Sequence, residues 1–159
     1  GELGHTTSIR RTGRLCNCGK VGCLESYASA IGVARTAREL LEMDPKRPSS
    51  LRNMPADDIT SRDVAEAASK GDALSIEVFN YTGRILGEAF ADFVAFSAPE
   101  AIVIFGGLAQ AGDLIFKPTI DAMEDNLLSI WKGKVKVIPS QLPGSEAAIL
   151  GSAALAWEL

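Results

Sequence analysis

An excess of basic charge, a long uncharged apolar run and a dispersed set of cysteines are all missing from this chain. Its 159 residues carry 16 Lys+Arg against 20 Asp+Glu, a net charge of −4, so there is no general attraction to phosphate backbones or anionic lipid, which needs clustered basic side chains. The most apolar long stretch, Asp72 to Ala98, is interrupted by Glu77, Arg84, Glu88 and Asp92. A membrane span needs about 20 mostly apolar residues, so this stretch reads as a buried helix of a soluble protein. The opening Gly1-Glu2-Leu3-Gly4-His5 has neither the basic segment nor the apolar core of a signal peptide. It also lacks an initiator methionine, so the expectation is a chain cut from something longer. Internal repeats and low-complexity tracts are absent too. With 47% hydrophobic and 23% charged residues, wholesale disorder is excluded, and this length suits one core or two small lobes.

What is present is concentrated. The three cysteines fall in Cys16-Asn17-Cys18-Gly19-Lys20-Val21-Gly22-Cys23, and the single histidine is His5. An odd number of cysteines leaves one thiol over in any disulfide framework. Structural zinc takes four nitrogen or sulfur ligands, and His5, Cys16, Cys18 and Cys23 close that count. Gly19 and Gly22 give the backbone freedom to bring Cys23 back to the other two thiols. Such a site suits a reducing, cytoplasmic compartment. Three free thiols and a histidine bonded to a carbonyl are the bland alternative. A redox pair is disfavoured because no Cys-x-x-Cys occurs.

Around this cluster, residues 1–24 read as loop, with a short strand before Thr12-Gly13. Apolar residues from Glu25 to about Met43 recur at helical spacing until Asp44-Pro45 stops them. Lys46 to Asp58, with Pro48 and Pro55, reads as a mobile connection. Thr60-Ser61-Arg62-Asp63 has the form of a capping box and opens a short helix ending at Gly71. Asp72 caps the longest helix, on which Gly83, Gly87 and Ala91 form a small-residue ridge for close approach of another backbone. Pro99 ends it. Ala101 to Phe105 reads as a strand covered on both faces, followed by Gly106-Gly107. A helix from about Gly112 to Ser129, a strand Val135 to Ile138, a loop with Pro139, Pro143 and Gly144, and a helix from Ser145 complete an α/β order.

Glu2 and Glu25 flank the four potential ligands in sequence. A metal gripping His5 and Cys23 would gather two carboxylates beside an imidazole held in one tautomer, which suits a hydroxyl-rich ligand such as a sugar. Equally, Glu2 can be a solvated terminal charge and Glu25 a favourable acid in a first helical turn. The residues alone leave both readings open.

Glu2-Leu3-Gly4-His5-Thr6-Thr7 and, after Gly13, Arg14-Leu15-Cys16-Asn17-Cys18-Gly19-Lys20-Val21-Gly22-Cys23-Leu24-Glu25-Ser26-Tyr27-Ala28-Ser29 closely resemble the signature of the ROK family of repressors, open reading frames and sugar kinases. Gly71-Asp72, Ala98-Pro99-Glu100, Ile102-Val103-Ile104-Phe105-Gly106-Gly107 and Ala148 to Ala154 fit it as well, so the resemblance covers essentially the whole chain. It implies an actin-like, ribonuclease H-like α/β fold, with residues 1–159 as the larger C-terminal domain and 1–25 as its zinc- and sugar-binding loop. It further implies that Glu2, His5 and Glu25 bond sugar hydroxyls, that His5, Cys16, Cys18 and Cys23 hold Zn²⁺, and that Gly106 and Gly107 let backbone approach the nucleoside of ATP.

The family's Asp-x-Gly-x-Thr phosphate element and its Asn-Asp pair, whose Asp serves as catalytic base, do not occur in these 159 residues. The resemblance therefore implies an ATP- and Mg²⁺-dependent hexose kinase, acting on the 6-hydroxyl of glucose or a near relative, of which this chain alone should be inactive. It implies a homodimer or tetramer. The alternative within the family is the sugar-sensing domain of a transcriptional repressor with an upstream winged helix. A zinc-ribbon nucleic-acid module, drawing on Arg10, Arg11, Arg14 and Lys20, is opposed by the lack of stacking aromatics in that loop.

Overall fold

In the computed structural model of this chain, residues 2–9, 11–142 and 146–157 are described. Arg10, Pro143, Gly144 and Ser145, invoked above, lie outside them.

Helix α1, Ala30–Met43, starts where Ser29 accepts a hydrogen bond from the Gly32 N–H. It thus begins later than the expected Glu25, because residues Leu24–Ser26 form a separate 3-10 turn and the chain then folds back on itself at Tyr27. A Cβ on Gly32 would lie 2.5 Å from the Tyr27 carbonyl oxygen, so the helix start is packed directly on that turn. Glu25 consequently stands on a short projecting turn and not in a helix's first turn.

The connection to α2, Ser61–Ser69, differs from the expected mobile link. It holds two 3-10 turns, Ser50–Asn53 and Ala56–Asp58, buries Leu51, and is tied to Asp72 through the Ser50 N–H and the hydroxyls of Ser49 and Ser50. Helix α2 opens with the expected capping box between Thr60 and Asp63. Asp72 caps α3, Ala73–Ser97, through the Ser75 N–H. Ala98, in the left-handed conformation, ends α3 just before Pro99.

Helix α3 is the axis of the core, with α4, Asp113–Asn126, lying along its small-residue ridge. Added Cβ atoms at Gly83 and Gly87 would sit 2.7 Å from Pro118 Cγ and 2.3 Å from the Thr119 carbonyl oxygen. Their missing side chains therefore set how near the helices lie, and the Pro118 ring fills the space over Gly83. Val78, Phe79, Leu86, Ile115, Phe116 and Met123 bury the seam.

Strand β1, Ala101–Ile104, pairs in parallel with β2, Lys136–Pro139, from Ala101 opposite Lys136 to Ile104 opposite Pro139. Helix α4 provides the crossover that a parallel pair requires. Contrary to the expected cover on both faces, Val103 is 57% exposed and Phe105 47% exposed, because Ile102 and Ile104 take the face that packs against the core and the alternate residues point away from it. Helix α5, Glu146–Trp157, closes the chain. The strand expected before Thr12 is replaced by a turn, with isolated bridges Thr7 to Cys23 and Leu15 to Val21. Among the described residues, no helix is long and apolar enough to cross a membrane.

Candidate metal and sugar site

Three passages of the N-terminal loop lie side by side. The Leu24 N–H donates to the Thr6 carbonyl, the Ser8 N–H to Gly22 and the Gly22 N–H to Arg14. The Cys16 N–H donates to Lys20 across a turn whose Gly19 N–H returns to Cys16. Gly22, at φ 79°, permits this closure because a Cβ there would fall 1.6 Å from the Ile9 carbonyl oxygen. Bulkier residues are excluded both by backbone conformation and by space.

The result gathers all four expected ligands. One donor atom from each of His5, Cys16, Cys18 and Cys23 lies within 4.8 Å of every other. Cys16 Sγ is 3.7 Å from His5 Nδ1, and Cys18 Sγ is 3.6 Å from Cys23 Sγ. Donors around tetrahedral zinc, with bonds of about 2.0–2.3 Å, stand roughly 3.3–3.8 Å apart, so these donors fit that ion in type and number, and the Cys16–His5 and Cys18–Cys23 pairs fit it in spacing.

Electrostatics point the same way. The Cys18 N–H, joined by the side chains of Cys18, Ser26 and Cys23, outweighs burial and lowers the Cys16 thiol to about 6. Burial first, then the thiols of Cys18 and Cys16, pushes Cys23 up to about 11. The protein matrix alone thus favours one thiolate and resists a second beside it, and a shared divalent cation would reverse that penalty.

His5 faces two ways. Its Nδ1 points at the cysteines, while Nε2 lies 3.4 Å from Glu25 Oε2. Both His5 and Glu25 are partly open to solvent. The His5 carbonyl is held by Lys20 Nζ, which donates to it at 2.6 Å, and Gly4 lies beside Glu25, where an added Cβ would be in ordinary contact, 3.6 Å from Glu25 Cβ. Glu2 is exposed at the edge of this loop, its carbonyl accepting from the His5 N–H, and no contact brings its carboxylate to Glu25.

Gly106 and Gly107 lie elsewhere, at the end of β1. Gly106 has φ 100°, and an added Cβ at either glycine would meet open space. Gly107 borders a cleft of about 530 Å³ whose other wall is Ser61, Arg62, Ala65 and Glu66 of α2. Sequence reasoning missed that wall, since no local pattern links residues more than forty positions apart. It also missed Arg14, which looked like one of several surface cations and is in fact buried.

The sequence matches the ROK family over residues 1–158. It is 42% identical over 118 residues to a glucokinase of Halalkalibacterium halodurans, covering 74% of this chain and 36% of that protein. It is 32% identical over 143 residues to the DNA-binding transcriptional dual regulator NagC of Escherichia coli, covering 89% and 34%. A crystal structure of a ROK family glucokinase from Streptomyces griseus in complex with glucose and AMPPNP has a TM-score of 0.84 to this chain at 30% identity, covering 97% and 50%. The chain therefore spans about a third to a half of the length of these relatives. With the family match running over nearly every residue and the fold shared with an ATP-analogue-bound sugar kinase, this chain belongs to the ROK family.

Proposed function

We propose that this chain forms the larger, C-terminal part of a cytoplasmic ATP-dependent kinase that phosphorylates the 6-hydroxyl of glucose or a related hexose. The observation that carries the reading is the two-sided placement of His5, with Nδ1 toward the cysteines and Nε2 toward the Glu25 carboxylate. Zinc held by His5, Cys16, Cys18 and Cys23 would keep the Nε2 proton in place and the loop closed. His5 then donates, and Glu25 accepts, in adjacent positions open to solvent, which matches the alternating donors and acceptors of a sugar's hydroxyls. Glu2 adds a second carboxylate from the loop edge.

In this reading the nucleoside of Mg²⁺-bound ATP enters over Gly106 and Gly107, where nothing projects from the backbone, with α2 as the facing wall. The base that takes the hydroxyl proton, and the phosphate-binding element, come from outside these residues. Phosphoryl transfer depends on positioning and charge neutralisation as well as that base, so the 159-residue chain alone binds sugar weakly and turns over nothing. The similarity to NagC supports a second reading, in which the same sugar site serves a transcriptional regulator.

A coupled assay of ADP release separates the two. The full-length protein is expected to release ADP with glucose and Mg²⁺-ATP. No release with glucose, mannose, fructose or an N-acetyl hexose moves the assignment to the sugar-sensing regulator, and turnover by the 159-residue chain alone refutes an external base.

A further inference from the structure

The geometry points to Arg14 as a positioning residue that sets Glu25 against the Cys-His cluster. Its guanidinium, 7% exposed, donates from Nη1 to the carbonyls of Ser26 at 2.9 Å and Gly32 at 3.2 Å. From Nη2 it donates to Thr36 Oγ1 at 2.8 Å and to the Glu39 carboxylate. The Tyr27 ring lies under it, 4.5 Å from centroid to Cζ. The backbone of the same residue is engaged on both sides: its N–H donates to Tyr27 Oη at 2.7 Å, and its carbonyl accepts from the Gly22 N–H at 2.8 Å. Arg14 therefore grips the residue after Glu25 and the residue before Cys23, while standing two residues before Cys16 in the same strand of loop.

A buried charge is a poor way to gain stability, because an apolar side chain of similar volume is often neutral or better. What a hydrophobe cannot do is fix the Ser26 carbonyl and the helix α1 groups at set angles from one planar fork. Lysine cannot do so either, since one ammonium on a flexible stem lacks the rigid geometry needed for acceptors lying in several directions. Glu39, itself shared with Arg35, supplies the countercharge. The inference rests on the proposed role of Glu25 as a sugar ligand, and its consequence is that disturbing Arg14 misaligns metal and sugar groups together without touching either.

The test compares, in the full-length protein, wild type with Arg14→Lys and Glu39→Gln at a temperature well below unfolding. The readouts are the visible absorption of bound Co²⁺ as a zinc substitute, and glucose affinity by calorimetry. Arg14→Lys is expected to bind Co²⁺ with an altered spectrum and to weaken glucose binding at least tenfold; Glu39→Gln is expected to change both in the same direction by less. Folded variants with wild-type Co²⁺ spectra and glucose affinity, differing only in melting temperature, overturn the proposal and leave Arg14 a fold staple. If Arg14→Lys does not fold, Glu39→Gln decides alone on the same criteria. If wild type binds no hexose, the sugar reading falls and the Co²⁺ spectrum decides: altered in the variants it supports the role of Arg14, unaltered it refutes it.

Discussion

At the residue scale, Cys18 and Glu25 stand on opposite sides of His5 and should fail differently. Cys18 is the exposed member of the thiol cluster, and Cys18→Ser replaces a soft thiolate with a hydroxyl that zinc does not favour. Purified without added metal, wild type should carry about one zinc per chain, whereas the variant should lose it and weaken sugar binding with it. Glu25→Gln should keep the zinc while reducing hexose affinity by about 1–3 kcal/mol, because an amide accepts through one oxygen only. Elemental analysis beside a sugar titration checks both, and zinc retained with full occupancy in Cys18→Ser would refute the ligand assignment. The gathering of His5 with Cys16, Cys18 and Cys23 was legible in sequence because the chain has one histidine and its three cysteines fall within eight residues. Arg14 was not, because its partners Ser26, Gly32, Thr36 and Glu39 come together only when α1 packs against the loop.

At the scale of elements, two features of α3 govern stability. Gly87→Val would place a Cβ within 2.3 Å of a backbone oxygen on α4, which no side-chain adjustment relieves. Any helix-propensity gain over glycine is under about 1 kcal/mol, while overpacking costs about 1–3 kcal/mol. The net expectation is destabilisation, read as a lower urea midpoint; an unchanged midpoint would show that α4 can shift at no cost.

The other feature is the cap. Burial raises the Asp72 carboxyl, but the Ser75 and Ser50 N–H groups and the Ser49 hydroxyl outweigh it and hold the group down at about 2, below its ordinary 3.8. A depressed folded value means that the carboxylate stabilises the fold above pH 3.8 and loses that contribution as pH falls toward 2. The stability difference between wild type and Asp72→Asn should therefore be about 1–2 kcal/mol near neutrality and shrink below pH 3, as chemical denaturation at several pH values would reveal. The capping box and the Asp72 cap were readable because capping needs only a few consecutive residues. The ordering of Lys46 to Asp58 was not, since its anchor, Asp72, lies more than twenty positions downstream of the serines that it holds.

On the scale of the molecule, the family resemblance implies self-association, and the apolar surface of α3 bears on it. Much of that surface is in fact taken up by α1, α2 and α4, yet Phe96 remains 96% exposed and shares a groove of about 810 Å³ with Leu3 and Phe93. Val103 and Phe105 expose a second apolar surface, and exposed apolar patches of this kind commonly mark contact surfaces. We expect at least a dimer by light scattering at micromolar concentration; a clean monomer would refute it.

Sequence alone determined what could be decided by neighbours along the chain: the Cys-His cluster, the helix caps, the small-residue ridge and the α/β order all arise from short spacings between residue types. Tertiary structure decided everything that depends on distant segments meeting. It lifted Glu25 onto a turn outside α1, left β1 covered on one face, set α2 opposite Gly107 and buried Arg14. Local propensities and periodicities act within a few residues, while burial and hydrogen-bond partners are chosen by packing between elements, and a spacing pattern in one segment carries no record of which other segment will cover it.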